Sequence, residues 1–419
     1  MQLRHRVLAA LLALVGSSSA LLAFPGAEGF GANAVGGRQG EVYVVTNLDD
    51  SGEGSLRDAV SATDRIVVFA VGGVINIEER LVVSKRVTIL GQTAPGDGIT
   101  VYGNGWSFSN ADDAIVRYIR IRMGSGGDSG KDGITIAEGG NMIFDHVSVS
   151  WGRDETFSIS GTAENITVQN TIIAQGLETH SCGGLIQTDG GVSLFRNLYI
   201  DNKTRNPKVK GVNEFTNNLV YNWGGGGGYI AGDSDGESHA NIIGNYFISG
   251  PSTSVTAFTR GNANFHGYVE NNFYDPDQDG TLNGSELGAS SNSYGGMEIV
   301  AEKYDYPAVG RQLTPDEVVT YVTENVGASL VRDSVDSQLI DQVLSYGTDG
   351  ELISDEESMG GPGDLDGGTP PTDTDGDGIP DDAEAELGTD PNVADSLELD
   401  SIGYTFLEVW ANSLVPSDY

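Results

Sequence analysis

Apolar residues in the middle of the chain come in short bursts. AIVRYIRIRM, NMIFDHVSVSW, NITVQNTIIA, VSLFRNLYI, FTNNLVYNW, NIIGNYFIS and YVENNFYD follow one another, rich in Val, Ile, Phe and Tyr and separated by Gly, Asn and Asp. No 3.6-residue period runs through them, so they predict strands and turns. EVYVVTNL and RIVVFAVGGVI carry the same pattern toward the N-terminus, and it continues to about residue 300. An Asn returns at Asn170, Asn197, Asn218, Asn245 and Asn272, with steps of 27, 21, 27 and 27 residues. A near-constant period of that size signals stacked coils. The expected fold is all-β: a right-handed parallel β-helix (solenoid), each coil burying its inward Val, Ile, Leu and Phe, with the recurrent Asn forming an amide ladder. An antiparallel sandwich with Asn-rich turns is the alternative, and the even period counts against it.

The pattern breaks at both ends. Residues 1–20, MQLRHRVLAALLALVGSSSA, place basic residues before a short apolar run and small residues after it. This predicts a secretory signal peptide cut after Ala20 and a secreted, extracellular product. Residues 21–300 form the predicted β-helix. Within residues 301–346, LTPDEVVTYVTENVG predicts a helix capped by Thr314 with Pro315 in its first turn, packed on the coil. Residues 347–371, rich in Gly, Pro, Ser and acids, predict a flexible linker. Residues 372–419 predict a small EF-hand-like calcium-binding module.

Charge and cysteine content narrow the function. The 419 residues carry a formal net charge of -38, which argues against nucleic acid or an anionic membrane as partner. A polyanionic ligand would need a local basic patch or bridging cations. The one cysteine, Cys182, excludes an intrachain disulfide despite the secretory leader. Sequons at Asn165, Asn202 and Asn283 are candidate glycosylation sites. A monomer is expected.

Two stretches carry calcium-loop spacing. DTDGDGIPDDAE offers Asp373, Asp375, Asp377, Asp381 and Glu384, with Gly378 for the sharp turn. DPDQDGTLNGSE offers Asp275, Asp277, Asp279, the Thr281 carbonyl and Glu286, although the run before it looks like a strand. Further acids fall on successive coils: Asp128, Asp132, Asp145, Asp154 and Glu155. Two carboxylates one coil apart can hold Ca²⁺. DNKTRNPKVKG, two coils on, gathers Lys203, Arg205, Lys208 and Lys210 in an otherwise negative chain. Acids on some coils and bases on another, facing one groove, suit a polyuronate.

FDHVSVSW followed by RNPKVKG resembles the W-I-D-H and R-x-P-x-x-R motifs of secreted pectate lyases, in the family that includes pectin lyases. The resemblance spans roughly residues 24–345. It implies a Ca²⁺ cofactor, a polygalacturonate (pectate) partner and eliminative cleavage to 4,5-unsaturated products in the breakdown of plant cell-wall pectin. It makes Arg205 the catalytic base and places Lys210 where a second Arg is expected. Asp132 and Asp154 match calcium carboxylates. A third acid is replaced by Ser158, with Glu155 nearby. A substrate-binding Lys is replaced near His180 or Cys182; Lys208, Lys210 and His180 are the substrate-binding candidates. An Arg base implies an alkaline pH optimum. A pectin lyase acting on methylated polymer, or a noncatalytic glycan-binding solenoid, are the alternatives. The three aspartates and following His expected of a polygalacturonase are missing.

Overall fold

The computed structural model describes residues 21–307 and 309–416; the expected signal peptide lies outside them. The chain is a parallel β-solenoid of about nine turns. One ten-stranded sheet runs from Gly73–Asn76 to Ser285–Glu286 and is parallel except for its last pair. The seventeen-stranded sheet bends through the long strands Leu185–Phe195 and Lys208–Thr216, whose register shifts between Thr188 and Val192. Inside runs an apolar core that includes Val67, Ile89, Val116, Phe144, Val168, Leu194, Phe215 and Ile242. Along most strands, side chains of one parity meet this core.

The amide ladder forms over four coils. Nδ2 of Asn197 donates to Oδ1 of Asn218 (3.0 Å), Asn218 to Asn245 (3.1 Å), and Asn245 to Asn272 (2.8 Å). Asn170 is not the next rung. Register sets Ile172 against Leu198, so Thr171 occupies the rung and its N–H donates to Asn197 Oδ1 (2.9 Å). Asn170 turns instead to Asp145 (3.2 Å).

Helices Pro315–Asn325 and Ser334–Leu344 cover the ten-stranded sheet, burying Val318, Val322, Leu339 and Val343 on Leu198, Leu219 and Tyr246. Thr314 and Glu317 form a reciprocal capping box, satisfying donors the helix start would orphan.

Residues 347–371 are not a free linker. Ile353 and Met359 are buried in the same cluster. Glu356 is 1% exposed; its carboxylate accepts from Ser125 N–H (2.8 Å) and the Tyr102 hydroxyl (2.6 Å). Asp366 and Asp97 exchange hydrogen bonds (both 2.8 Å). The stretch is a strap: apolar residues spaced among the Gly and Ser anchor it along the coil. The tail beyond it docks too. Ile379, Leu407, Trp410 and Ala411 pack on Ile66, Val68 and Leu90, and Arg38 makes a buried ion pair with Glu408 (2.9 Å). Burial of side chains this size contributes about 1.5–3 kcal/mol each.

Candidate active site

Four neighbouring coils present their turn residues in one column. Parallel pairing sets Ile134 against Phe157 and Leu185 against Lys208, and bridges join Glu155 to Cys182 and Cys182 to Thr204. Asp132 therefore lies one coil from Glu155, and Arg205 two coils beyond that. One carboxylate oxygen from each of Asp132, Asp154 and Glu155 lies within 4.8 Å of the other two. Asp132 accepts from the Thr135 hydroxyl (2.6 Å) and from Glu155 N–H (3.2 Å). Burial raises its pKa, the Asp154 charge pushes the same way, and Thr135 partly opposes both. Ser158, whose hydroxyl slightly favours the charged form of Asp132, sits beside this group; Glu155, 4% exposed, supplies the third acid. Three converging oxygen donors of net negative charge fit a hard divalent cation.

Arg205 is 28% exposed, and its guanidinium pairs with Glu155 across Cys182. His180 Nε2 lies 3.0 Å from Asp154. Cys182 is buried and its thiol is pushed up to about 12 by burial and then by Asp154 and Asp132, so it stays a neutral thiol. The other basic residues each meet a neighbouring coil: Lys203 pairs back with Glu178 (3.0 Å), while Lys208 faces Asp233 (3.7 Å) and Lys210 donates to the Asp235 carbonyl (2.8 Å) on the following one.

Not every expected acid reaches this groove. Asp145 is fully buried, bonded to Arg117 (2.9 Å) and His146 (2.9 Å). It lies on the outward face of its strand, opposite to Phe144, in a row with Arg117 and Gln169 that the N-terminal segment covers, and its two basic partners hold its carboxyl well below the usual range despite burial. Asp128 is exposed.

The segment 275–286 does not gather as a metal loop. Phe273 pairs with Glu286 and Tyr274 with Ser285, making an antiparallel hairpin. Asp275, 2% exposed, accepts from Asn283 N–H (3.0 Å), and Asp279 accepts from Thr281 N–H (2.8 Å). Among the described residues, no ligand-distance group of three acids contains Asp275, Asp277, Asp279 or Glu286. Strand pairing sets Glu286 opposite Phe273 instead of closing it over the turn.

The tail loop does gather. Asp373, Asp375 and Asp377 converge, and Asp377, Glu384 and Asp395 form a second group sharing Asp377. Glu384 has no exposed surface, and Asp375 Oδ2, Glu384 Oε2 and Asp395 Oδ1 are buried without hydrogen-bond partners. Burial, then Asp377 and Asp375, push the Glu384 carboxyl up to about 7. Asp381 is not in either group. It accepts from the backbone N–H and hydroxyl of Thr374 (2.8 Å each), which fixes the loop's shape. Asp395 comes from beyond the twelve-residue spacing, so sequence reasoning missed it. The only helix at the loop is Asp381–Leu387, at its exit, so the helix pair of an EF-hand does not form among the described residues.

Of the sequons, Asn202 has no exposed surface; its amide donates to the Ile173 carbonyl (3.0 Å) and accepts from Gly176 N–H (2.8 Å), which excludes a glycan on the folded chain. Asn165 is half-buried and Asn283 exposed.

Comparison with known proteins decides the family. Over 420 aligned residues the chain is 84% identical to the probable pectate lyase C of Emericella nidulans, covering all of this chain and 99% of that protein. The chain belongs to the pectate lyase family. The probable pectate lyase C of Aspergillus terreus is 83% identical over 98% of this lyase and 99% of its own length. A solved pectate lyase bound to a hexasaccharide shares the fold, with TM-score 0.55 at 15% identity, covering 75% of this lyase and all of that chain. Residues 373–394 match the bacterial TSP3 repeat, which replaces the EF-hand reading of the tail. Pectate lyases are polysaccharide lyases, and this chain is an enzyme of that class. No helix among the described residues is long and apolar enough to cross a membrane.

Proposed function

We propose that this pectate lyase is secreted and cleaves α-1,4-linked polygalacturonate by Ca²⁺-assisted β-elimination, releasing 4,5-unsaturated oligogalacturonides from plant cell-wall pectin. The convergence of Asp132, Asp154 and Glu155 beside the Arg205 guanidinium carries the reading. Elimination removes the proton on C5, next to the uronate carboxylate, and expels the C4 oxygen. The C5 proton is poorly acidic while that carboxylate keeps its full charge. Ca²⁺ held by the three acids would neutralise the carboxylate and stabilise the enolate-like charge.

Arg205 is assigned to take the proton. A guanidinium, with a pKa above about 12, is in general a reluctant base. Glu155 serves two partners, and as a metal ligand it leaves Arg205 free to turn to the sugar. Lys208 and Lys210, on the strand that follows Arg205, are assigned to uronate carboxylates, and His180 orients Asp154. The tail acids Asp373, Asp375, Asp377, Glu384 and Asp395 are assigned to structural Ca²⁺, and Asn165 and Asn283 remain the glycan candidates. The test is polygalacturonate cleavage followed by the ultraviolet absorbance of the unsaturated product. Loss of that signal with a chelator, and with Arg205→Ala, supports the reading; a signal indifferent to both rejects it.

A further inference from the structure

The chain has five histidines, and two stand on adjacent coils away from Arg205. Register places His239 against His266 and His266 against Glu298. All three side chains leave the outward face, since alternate residues of these strands fill the core. The two imidazoles stack with centroids 5.3 Å apart. The Tyr304 ring meets His239 edge-on at 5.4 Å. Glu237 Oε2 lies 2.6 Å from His266 Nε2, while Glu298 Oε2 lies 2.6 Å from His266 Nδ1.

We propose that Glu237, His239 and His266 form a cation site distinct from the carboxylate clusters, taking a borderline divalent ion of the Zn²⁺ class. One ligand atom from each lies within 4.8 Å of the other two. Two imidazoles and a carboxylate are a zinc-type donor set, whereas Ca²⁺ takes oxygens. Glu298 is the positioning residue: a carboxylate on the far ring nitrogen fixes tautomer and orientation of a metal-binding imidazole. Three protein ligands leave a coordination position open. Glu237 and His239 also line a depression of about 560 Å³ together with Lys210 and Gln187, which gives an outside ligand access.

The full-length protein, saturated with Ca²⁺ to fill the oxygen sites, would be titrated with Co²⁺ and read by visible absorption, then challenged with Zn²⁺. One equivalent of Co²⁺ with ligand-field bands, bleached by Zn²⁺, is expected. His239→Ala or His266→Ala should weaken binding more than about tenfold, and Glu298→Gln about tenfold. Equal binding by the double histidine variant, or no bands in the parent, overturns the site. Should the variants misfold, zinc-edge anomalous diffraction from soaked parent crystals decides by a peak, or none, among the three side chains.

Discussion

The groove acids and the tail acids are similar in chemistry and opposite in setting. In the groove, Asp132, Asp154 and Glu155 already face Thr135, His180 and Arg205. In the tail no Lys or Arg follows Arg332 in the sequence, and three carboxylate oxygens are buried with nothing opposite them. A buried, unpaired carboxylate is costly. We propose that the tail takes a cation to fold against the coil, whereas the groove acids are held by these protein partners until substrate arrives. The lesson is that acid count does not separate a structural metal site from a working one. What separates them is whether basic groups of the protein stand ready to share the load.

Arg205→Ala should produce the largest effect: kcat lower by about 10²–10³-fold or more, with the melting temperature and the calcium-induced stabilisation of the tail unchanged. Lost thermal stability would instead make Arg205 a structural ion-pair partner. Glu384→Gln should do the reverse. It should abolish most of the rise in melting temperature on adding Ca²⁺, a stabilisation of about 2.7 kcal/mol when the ion is at a hundred times its Kd, and leave kcat intact. A variant that still gains the full stabilisation would erase the contrast. Glu155→Gln should raise the Ca²⁺ concentration for half-maximal activity about tenfold, roughly 1.4 kcal/mol, because one ligand charge is lost.

A different effect comes from a third kind of acid. Asp201 is fully buried, accepts a short hydrogen bond from Asn222 (2.6 Å) and, among the described residues, belongs to no ion pair or metal-ligand group. Burial pushes its carboxyl up to about 8. Its folded pKa lies above the unfolded value, so its contribution to stability is complete below about pH 4 and is lost as pH rises through 8. Asp201→Asn should flatten that part of the melting-temperature profile; an unchanged slope between pH 4 and 8 would show that Asp201 does not cause it.

The coil architecture was legible because its signal repeats. Short strands and returning Asn residues say the same thing many times, and one misaligned rung, Asn170 for Thr171, does no harm. In the groove, coil spacing offered five acids alike, and it was the family resemblance that singled out Asp132 and Asp154, which converge with Glu155. Inside or outside was harder: Asp145 and Asn202 carry polar side chains whose buried partners lie a coil away. Loop spacing misled at 275–286, where hairpin pairing overrides the acid pattern, and fell short in the tail, where Asp395 arrives from outside the loop. The strap at 347–371 looked loose because its few anchors, Ile353, Glu356 and Met359, are diluted by Gly and Ser.

The most direct test is a crystal structure of the Arg205→Ala protein with Ca²⁺ and trigalacturonate. The account predicts a uronate carboxylate sharing a cation with Asp132, Asp154 and Glu155, its C5 turned toward position 205. A sugar seated away from that column, or Ca²⁺ filling the tail while the three groove acids stay empty beside bound sugar, would contradict it.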